Sequence, residues 1–311
     1  MKIVQLLIAS ATWKLIRCRA VRDGACCNDA YATLLSREDY FLGTFTLVTS
    51  LLRHQVCPRQ ILVLIPREKA KLRELGSLLT KLGATIIPVA TIPNPYSPSE
   101  ERFVGSSVMS KLHIFSLTGY DKILFLDSDI FLIGSPDRLF DFEPFAAVQR
   151  HRKVDTFQSS TMLLCPWKSD FDDMISQLGH LDSYDGADQG FLNSFFKELW
   201  TTQVRLPESK HVIPSLMFPA IHAVGKGTHL SDAVKNTAVG VHFAGLHHKP
   251  WDQRWSKHCG NVCVIFHNMW LEHMQDVLNE PNLSTSSLRK KVELHLRRSN
   301  TPAYFCQKTS I

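Results

Sequence analysis

An acidic triplet between two apolar runs is the feature that most constrains the fold of this 311-residue chain. Ile123–Leu126 precede Asp127-Ser128-Asp129, and residues 130–133 continue the apolar run. Such runs predict a strand buried in the centre of a sheet. Residues two apart in a strand point to the same side, so both carboxylates should converge at its carboxyl end. Their repulsion favours a bound divalent cation, and a polar turn with an Asp cap is the alternative.

The spacing of apolar residues predicts alternating strands and helices around that central strand. Strand-like runs occupy residues 30–36, 60–65 and 84–89, and helical spacing is found between them and again from Val108 to Phe115. Pro88 indicates that the third strand lies at an edge or carries a bulge. This alternation predicts an α/β fold with a mostly parallel, doubly wound sheet. Further strands are predicted at 145–148, 161–164 and 239–243, and further helices at 170–178 and 188–199.

Charge and cysteine content limit the classes of partner and compartment. The formal charge of +6 and the pI of about 8.9 are mild for this length, so we expect no nucleic-acid partner. A pocket for an anionic small molecule fits that charge equally well. The eight cysteines include no C-x-x-C, and Cys259 and Cys263 have poor spacing for zinc. We therefore expect free thiols and a cytoplasmic protein.

The two ends of the chain differ in character from its middle. An apolar stretch after Lys2 is too short to span a bilayer, but it could act as a signal-like segment, which makes the Golgi the alternative location. A lone glycosylation sequon begins at Asn282. We predict an N-terminal extension over residues 1–28, one domain over 29–275, and a polar basic tail over 276–311. Solvated charge is a simpler role for that tail than membrane binding.

The familiar nucleotide-binding loops are missing from the sequence. There is no G-x-G-x-x-G after the first strand and no G-x-x-x-x-G-K-[ST], which disfavours dinucleotide oxidoreductases and P-loop ATPases. Phosphatases with an aspartyl nucleophile also carry two Asp residues two apart. They usually have Thr or Val two residues further on, where this chain has Phe131, and their pair follows the first strand. A phosphatase is therefore disfavoured too.

Two further motifs are rich in side chains that bind ligands. Residues 185–190 have the sequence Asp-Gly-Ala-Asp-Gln-Gly just before a predicted helix. Glycines let the backbone approach a ligand closely, although helix capping is the simpler explanation of the polar residues. Residues 242–251 begin with His242 and contain Lys249. A neutral imidazole can complete a metal site begun by two carboxylates, and a lysine can neutralise a phosphate. A histidine packed in the core is the alternative.

These three motifs, in this order and spacing, resemble glycosyltransferase family 8, and within it the glycogenin-like branch. The resemblance runs from about Ala30 to Trp251. Within that range it includes residues 50–54 and 110–113 as well as the three motifs. It implies a Rossmann-like GT-A fold and retaining transfer of a hexose, glucose or galactose, from a UDP-sugar. The acceptor would be a hydroxyl of a glycan, a protein or a small molecule. The resemblance leaves a homodimer open.

The resemblance also implies roles for individual residues. It implies that Asp127, Asp129 and His242 hold Mn²⁺, with Mg²⁺ as the alternative ion. Asp185, Asp188 and Gln189 would border the transferred sugar, with Asp188 nearest the reacting centre. The other implied donor-binding residues are Leu34, Ser36 and Tyr40 for uridine, Ser128 for ribose, Arg102 and Lys111 as basic residues, Gln158, Ser159 and Ser160 beside the sugar, and Gly245 and Lys249 for the diphosphate.

Three departures from the family pattern matter. Gln158 and Ser160 replace the usual Asn and Gly beside the sugar, which leaves the sugar open. A non-catalytic UDP-sugar-binding or scaffold protein is therefore the alternative function. The loop from His242 to Lys249 is one residue longer than in glycogenin. Residues 206–227, which match the segment where glycogenin glucosylates its own tyrosine, contain no Tyr. We therefore predict transfer to a separate acceptor.

Overall fold

The computed structural model describes residues 28–96, 107–150, 153–204, 210–219, 237–245, 248–252, 261–281 and 287–298. The predicted extension up to residue 27, the sequon at Asn282 and most of residues 206–227 lie outside that part of the chain. Within the described ranges, none of the helices combines the length and the apolar character that crossing a bilayer requires.

A seven-stranded sheet forms the centre of the molecule. The strands of the described residues are β1 (Ala30–Leu34), β2 (Gln60–Pro66), β3 (Thr85–Val89), β4 (Ile123–Leu126), β5 (Ile130–Leu132), β6 (Ala146–Gln149), β7 (Phe157–Leu164), β8 (Val212–Ile213) and β9 (Gly240–His242). The order across the large sheet is β3-β2-β1-β4-β7-β6-β8, and only the two pairings that involve β7 are antiparallel. The prediction of an α/β fold with a mostly parallel sheet is confirmed. Pro88 lies in β3, which is an edge strand as predicted.

Helices cover both faces of this sheet, and the strands alternate between two cores. The α-helices are α1 (Phe41–His54), α2 (Ala70–Thr80), α3 (Lys168–Gln177), α4 (Asp188–Phe195), α5 (Lys197–Gln203), α6 (Asn261–Leu278) and α7 (Ser287–Arg298). Leu124 and Leu126 of β4 belong to the core that includes α1, α6 and α7. Ile123 and Phe125 belong to the opposite core. This period of two is what a strand buried on both faces requires.

In a separate two-stranded sheet, the segment that follows the acidic triplet pairs with a segment that is distant in sequence. Strands β5 and β9 are antiparallel, with Ile130 opposite His242 and Leu132 opposite Gly240. A Cβ on Gly240 would lie 3.0 Å from the carbonyl oxygen of Phe131, so this position has little room for a side chain. The pairing holds His242 beside the triplet, although 112 residues separate Ile130 from His242 (242 − 130).

Several predicted elements differ in detail from the structure. The predicted helix after the Pro- and Ser-rich loop is a 3-10 helix, Val108–Ser116. The single helix predicted from 188 to 199 is divided into α4 and α5. The segment predicted as a polar tail contains α7, whose Leu288, Val292 and Leu296 are buried in the core. Their spacing of four residues places them on one helix face, whereas the basic residues dominate the composition.

The expectation of free thiols is wrong for three of the cysteines. Cys57, Cys165 and Cys263 are disulfide-bonded. Cysteine spacing could not show this, because the bonded pairs need only be adjacent in space and not in sequence. Disulfides persist mainly in oxidising compartments, so the thiol argument for a reducing compartment no longer holds.

Candidate active site

A cavity of about 540 Å³ opens at the carboxyl ends of β1 and β4. Ligands of open α/β sheets bind at this edge, because the loops that follow the strands meet there. The lining residues are Leu34, Ser36, Arg37, Tyr40, Lys69, Ser107, Val108, Lys111, Asp127, Ser128, Asp129, Ser159, Ser160, Asp185, Ala187, Asp188, Gln189, His242, Ala244 and Gly245. Four acidic and four basic side chains are among these residues, so the cavity can hold a ligand that carries both charged and polar groups.

The acidic triplet forms a tight turn and not an extended strand. The amide of Ile130 donates to the carbonyl of Asp127 over 3.0 Å, and the amide of Asp127 donates to Ser160 of β7 over 2.8 Å. The carboxylates do converge as predicted, but the turn and the neighbouring strand bring them together. The argument from strand periodicity was therefore wrong about the backbone between Asp127 and Asp129.

Asp127, Asp129 and His242 form a group that could hold a metal ion. One ligand atom from each of these residues lies within 4.8 Å of the others. His242 Nε2 is 3.3 Å from Asp129 Oδ1. Among the described residues, no hydrogen-bond partner is found for the buried His242 Nδ1, and none for Asp129 Oδ1 beyond this long contact with His242 Nε2. Buried polar atoms are rarely left unpaired, so atoms of this kind at the cavity wall fit a divalent cation with oxygen and imidazole ligands.

Two buried lysines pair with the two aspartates of the turn. Lys111 Nζ lies 2.9 Å from Asp127 Oδ1 and 2.6 Å from Asp188 Oδ2. Lys249 contacts the other aspartate, Asp129, and donates to the carbonyl of Phe243 over 2.6 Å. Burial would lower the pKa of Lys111, but attraction to Asp127 and Asp188 outweighs burial and raises that pKa. The site therefore holds a fixed cation beside each carboxylate.

The surroundings shift the pKa values of the two aspartates of the turn in opposite directions. Removal from water raises the pKa of Asp127, and the carboxylates of Asp129 and Asp188 add to that rise. Burial would also raise the pKa of Asp129, but attraction to Lys249 and His242 outweighs it and lowers the pKa. Asp129 is therefore held firmly in the ionised form that a metal ligand must have.

The two aspartates of the Asp-Gly-Ala-Asp-Gln-Gly segment make different kinds of contact at the site. Asp185 Oδ1 accepts hydrogen bonds from the amides of Ala187 and Gly190, over 3.0 and 2.9 Å. This is the capping role that the sequence left open, so Asp185 shapes the start of α4 although it also lines the cavity. Asp188 is buried and accepts from Ser159 Oγ over 2.7 Å as well as pairing with Lys111.

A second part of the cavity wall includes apolar and aromatic residues. Leu34 ends β1 and Ser36 follows it, and Tyr40 is the last residue of the 3-10 helix Glu38–Tyr40, which leads into α1. The Tyr40 ring packs edge-on against Trp251, with ring centroids 5.9 Å apart, and Lys249 Nζ lies 5.3 Å from the Tyr40 ring centroid. A flat ring wedged between a cation and an indole is suited to receive a planar base.

The structure does not bring every predicted donor-binding residue to the cavity wall. Arg102 lies outside the described residues. Gln158 is half-buried in β7 and is not among the lining residues, and Lys249 lies behind Asp129 and not at the cavity surface. Gly245 lines the cavity with a φ of +86°, a conformation that favours glycine. Apart from Arg102, Gln158 and Lys249, all of the predicted donor-binding and sugar-binding residues line the cavity.

Sequence reasoning missed six lining residues. Arg37 stands between the predicted Ser36 and Tyr40, so its position alone could have indicated it. Lys69 donates to the carbonyl of Ser36 over 3.2 Å from the start of α2. No sequence pattern links Lys69 to the first strand. The remaining missed residues are Ser107, Val108, Ala187 and Ala244.

Comparison with known proteins gives several relatives of the chain, although no family model matches it. It is 30% identical over 271 residues to human glycogenin-2, covering 81% of this chain and 51% of that protein. It is 26% identical to human glycogenin-1, covering 84% and 73% respectively. It is 30% identical to UDP-glucuronate:xylan alpha-glucuronosyltransferase 2 of Arabidopsis thaliana, covering 72% and 36%. The chain thus spans about half the length of glycogenin-2.

Solved structures share the fold at low sequence identity. The galactosyltransferase LgtC, in complex with donor and acceptor sugar analogues, has a TM-score of 0.55 at 16% identity, covering 80% of this chain and 95% of that one. The glycosyltransferase GlyE of Streptococcus pneumoniae has a TM-score of 0.53 at 18% identity, covering 87% and 64%.

The mostly parallel sheet, with an Asp-x-Asp turn at the carboxyl end of its central strand, defines a fold of the glycosyltransferase GT-A type. The resemblance drawn from the three motifs is confirmed at this level. The chain is glycogenin-like, related over most of its length to glycogenins and to plant glucuronosyltransferases.

Proposed function

We propose that this protein is a metal-dependent, retaining glycosyltransferase that moves a hexose from a UDP-sugar to a hydroxyl of a separate acceptor. The observation that carries the proposal is the grouping of Asp127, Asp129 and His242 at the wall of a cavity of donor-binding size. The names of the relatives support UDP-sugar chemistry, since one of them acts on UDP-glucuronate.

The three candidate metal ligands would bind the ion, and the nearby lysines would balance the negative charge of the aspartates. Asp127, Asp129 and His242 would hold Mn²⁺ or Mg²⁺, which would supply positive charge to the departing diphosphate. Lys249 and Lys111 keep their partner carboxylates paired when the cavity is empty of ligand. In a site that excludes water, fixed positive groups of this kind favour a leaving diphosphate more strongly than they would in bulk water. Arg37 and Lys69, at the cavity wall, add to this positive field.

The sugar would lie between the triplet and the start of α4. Asp188 faces this space from a buried position and is held by Lys111 and Ser159. We assign Asp188 to the reacting centre, with Gln189 beside it, and Asp185 to the support of their helix. A carboxylate fixed in this way suits the stabilisation of positive charge at an anomeric carbon. Uridine would occupy the end of the cavity formed by Leu34, Ser36 and Tyr40.

Acceptor, assembly and compartment belong to the same proposal. The acceptor would be a glycan, a protein or a small molecule other than this chain, because residues 206–227 contain no Tyr. A homodimer and the absence of a nucleic-acid partner stay predictions from the sequence. The disulfide bonds of Cys57, Cys165 and Cys263 favour an oxidising compartment such as the Golgi over the cytoplasm.

The test measures UDP release by the purified chain from UDP-glucose, UDP-galactose, UDP-xylose and UDP-glucuronic acid, with Mn²⁺, with Mg²⁺ or with EDTA. We expect turnover of at least one hexose donor with metal and none with EDTA. Asp129→Asn removes a ligand charge at nearly unchanged volume and should lower metal-dependent turnover by at least about a hundredfold. The anomeric configuration of the released sugar, followed by NMR, tests retention.

The control for this variant is Asp172→Asn. Asp172 also pairs with a lysine, Lys168, but this pair is exposed on α3. We expect wild-type turnover and an unchanged melting temperature from Asp172→Asn. Asp129→Asn leaves the buried Lys249 without its anionic partner, so it should melt at a lower temperature, and its turnover is measured well below that temperature. Full turnover by Asp129→Asn would refute the metal role. A wild-type chain that binds UDP but hydrolyses no donor would instead support the alternative of a non-catalytic UDP-sugar-binding protein.

A further inference from the structure

We propose that Tyr184 is a positioning residue, which fixes the side-chain amide of Gln189 at the sugar end of the cavity. The proposal rests on the transferase function proposed above and adds a residue that the sequence motifs did not single out. Gln189 Nε2 donates a hydrogen bond to the Tyr184 hydroxyl over 2.8 Å. Tyr184 itself does not line the cavity, so it would act through Gln189 and not by touching the donor.

The amide of Gln189 is held at both of its ends. Its Oε1 accepts a hydrogen bond from the amide of Ser159 over 3.3 Å, and its Nε2 is the group bound to Tyr184. A primary amide can rotate and exchange its donor and acceptor groups, so two partners are needed to fix which group faces the ligand. Strand β7 supplies one partner and the turn before α4 supplies the other.

The phenol ring is itself well placed, although half of it is exposed. The Arg150 guanidinium lies 5.2 Å from the Tyr184 ring centroid, within the range of a cation–π contact. A Cβ on Gly190 would lie only 2.6 Å from the backbone nitrogen of Tyr184, so the first turn of α4 packs directly against this residue. Tyr184 is 49% exposed, so these contacts and not burial alone hold the ring.

The consequence of this arrangement is catalytic and not structural. Gln189 follows Asp188, the residue that we place at the reacting centre, and both line the cavity. An amide with a fixed donor and acceptor can hold a sugar hydroxyl in one orientation, whereas a freely rotating amide cannot. Removing the Tyr184 hydroxyl should therefore lower kcat. It should leave uridine binding unchanged, because we place uridine at Leu34, Ser36 and Tyr40.

The test is a double-mutant cycle of Tyr184→Phe and Gln189→Ala, read by UDP release and by calorimetric binding of UDP. We expect Tyr184→Phe to lower kcat about five- to tenfold, with the Kd for UDP unchanged within about twofold. In the Gln189→Ala background the same change should cause no further loss, because its effect passes through the amide. Tyr120→Phe is the matched control, since Tyr120 donates to Gln60 Oε1 over 2.6 Å at an exposed position away from the cavity.

Wild-type kcat in Tyr184→Phe, or an equal fractional loss in both backgrounds, would overturn the proposal. If the wild-type chain binds UDP but turns over no donor, the proposed function fails, and the positioning role is decided by NMR. The side-chain amide signals of Gln189 are then identified by their loss in Gln189→Ala. Changed amide shifts in Tyr184→Phe support the positioning role, and unchanged shifts refute it.

Discussion

At the scale of single residues, Gly43 links the helix behind the cavity to the acidic turn. A Cβ on Gly43 would lie 2.3 Å from the carbonyl oxygen of Ser128 and 2.4 Å from the Trp251 ring. Gly43 lies in α1, so it is required here for close approach and not for an unusual backbone angle. The acidic turn, the aromatic part of the cavity wall and α1 therefore meet at one residue without a side chain.

We predict that Gly43→Ala destabilises the protein by about 1–3 kcal/mol, because the added methyl group must displace backbone or a buried indole. Urea unfolding measures this loss, and calorimetry should show weaker UDP binding as the turn moves. Gly76→Ala in α2 is the control. Its Cβ would come too close to the terminal Cδ1 of Ile65, which can shift, and would lie in ordinary contact with Ile86 at 3.5 Å. The gain in helix propensity, about 1 kcal/mol, offsets that contact. Equal losses from the two variants would contradict the prediction.

The residue scale also shows how far the sequence could predict the site. Asp127, Asp129 and Asp188 could be predicted to lie in the site, because each lies in a short motif at a predicted strand or helix end. Lys69 could not, because its contact with Ser36 depends on how the start of α2 lies beside the loop that follows β1. Tyr184 could not, because the role of its hydroxyl exists only once α4 has formed and turned Gln189 back towards it.

At the scale of secondary-structure elements, α7 is part of the core and not a solvated tail. Leu288 and Val292 are almost completely buried against the cluster that contains α1 and α6. The exposed side of the helix is tied to α2, where Lys291 Nζ lies 2.7 Å from Glu74 and Lys81 donates to Ser287 over 2.8 Å. Composition pointed to a tail because the basic residues outnumber the three buried ones, whereas helical spacing identifies the buried face.

We predict that Leu288→Ala lowers the free energy of unfolding by about 2–5 kcal/mol, through lost burial and the cavity left behind. Leu294→Ala in the same helix should change it by less than about 0.5 kcal/mol, because Leu294 is 39% exposed. Both variants carry the same change in helix propensity, so their difference isolates packing. Urea unfolding followed by circular dichroism gives both values. A loss of equal size from both would show that α7 does not pack on the core.

The element scale also separates what periodicity can predict from what it cannot. Strand β4 was predicted correctly because its apolar run is continuous and buried on both faces. The small sheet of β5 and β9 could not be derived from local pattern, since its pairing joins segments that are far apart in the chain. The 3-10 form of Val108–Ser116 has the same apolar residues as an α-helix, so spacing alone does not distinguish the two.

At the scale of the whole molecule, buried histidines link stability to pH. Burial, reinforced by the positive charges of Arg53 and His54, lowers the pKa of His273 to about 3. Its Nδ1 lies 3.2 Å from Arg53 and its Nε2 lies 2.9 Å from Thr49 Oγ1. Arginine can only donate, so Nδ1 accepts and the ring is neutral. Burial likewise lowers the pKa of His267 to about 4.

The sign of the effect follows from proton counts. The unfolded chain binds a proton at His273 near pH 6.5, whereas the folded protein binds it only near pH 3. Stability from this residue is therefore complete above pH 6.5 and falls as the pH drops towards 3. The slope is about 1.4 kcal/mol per pH unit for one proton. We predict that His273→Gln lowers the slope of unfolding free energy against pH, measured by urea unfolding between pH 7.5 and 5.

The control for the pH experiment is His180→Gln, at an exposed position. The wild-type slope should persist in His180→Gln if the effect of His273→Gln comes from the burial of that ring. Parallel slopes for wild type and His273→Gln would show that His273 does not remain neutral in the folded protein. His267 and the half-buried His113 and His211, whose pKa values burial also lowers, should keep part of the pH dependence in both variants.

The pairing of Ile130 with His242 has a consequence for how the protein is made. A ribosome delivers both aspartates of the turn more than a hundred residues before the histidine. A nascent chain can pair Asp127 with Lys111, but Asp129 lacks both Lys249 and His242 until β9 pairs with β5. The proposed metal site is therefore complete only after residue 242 has been made, and a chain cut between these segments lacks it unless the two pieces stay docked.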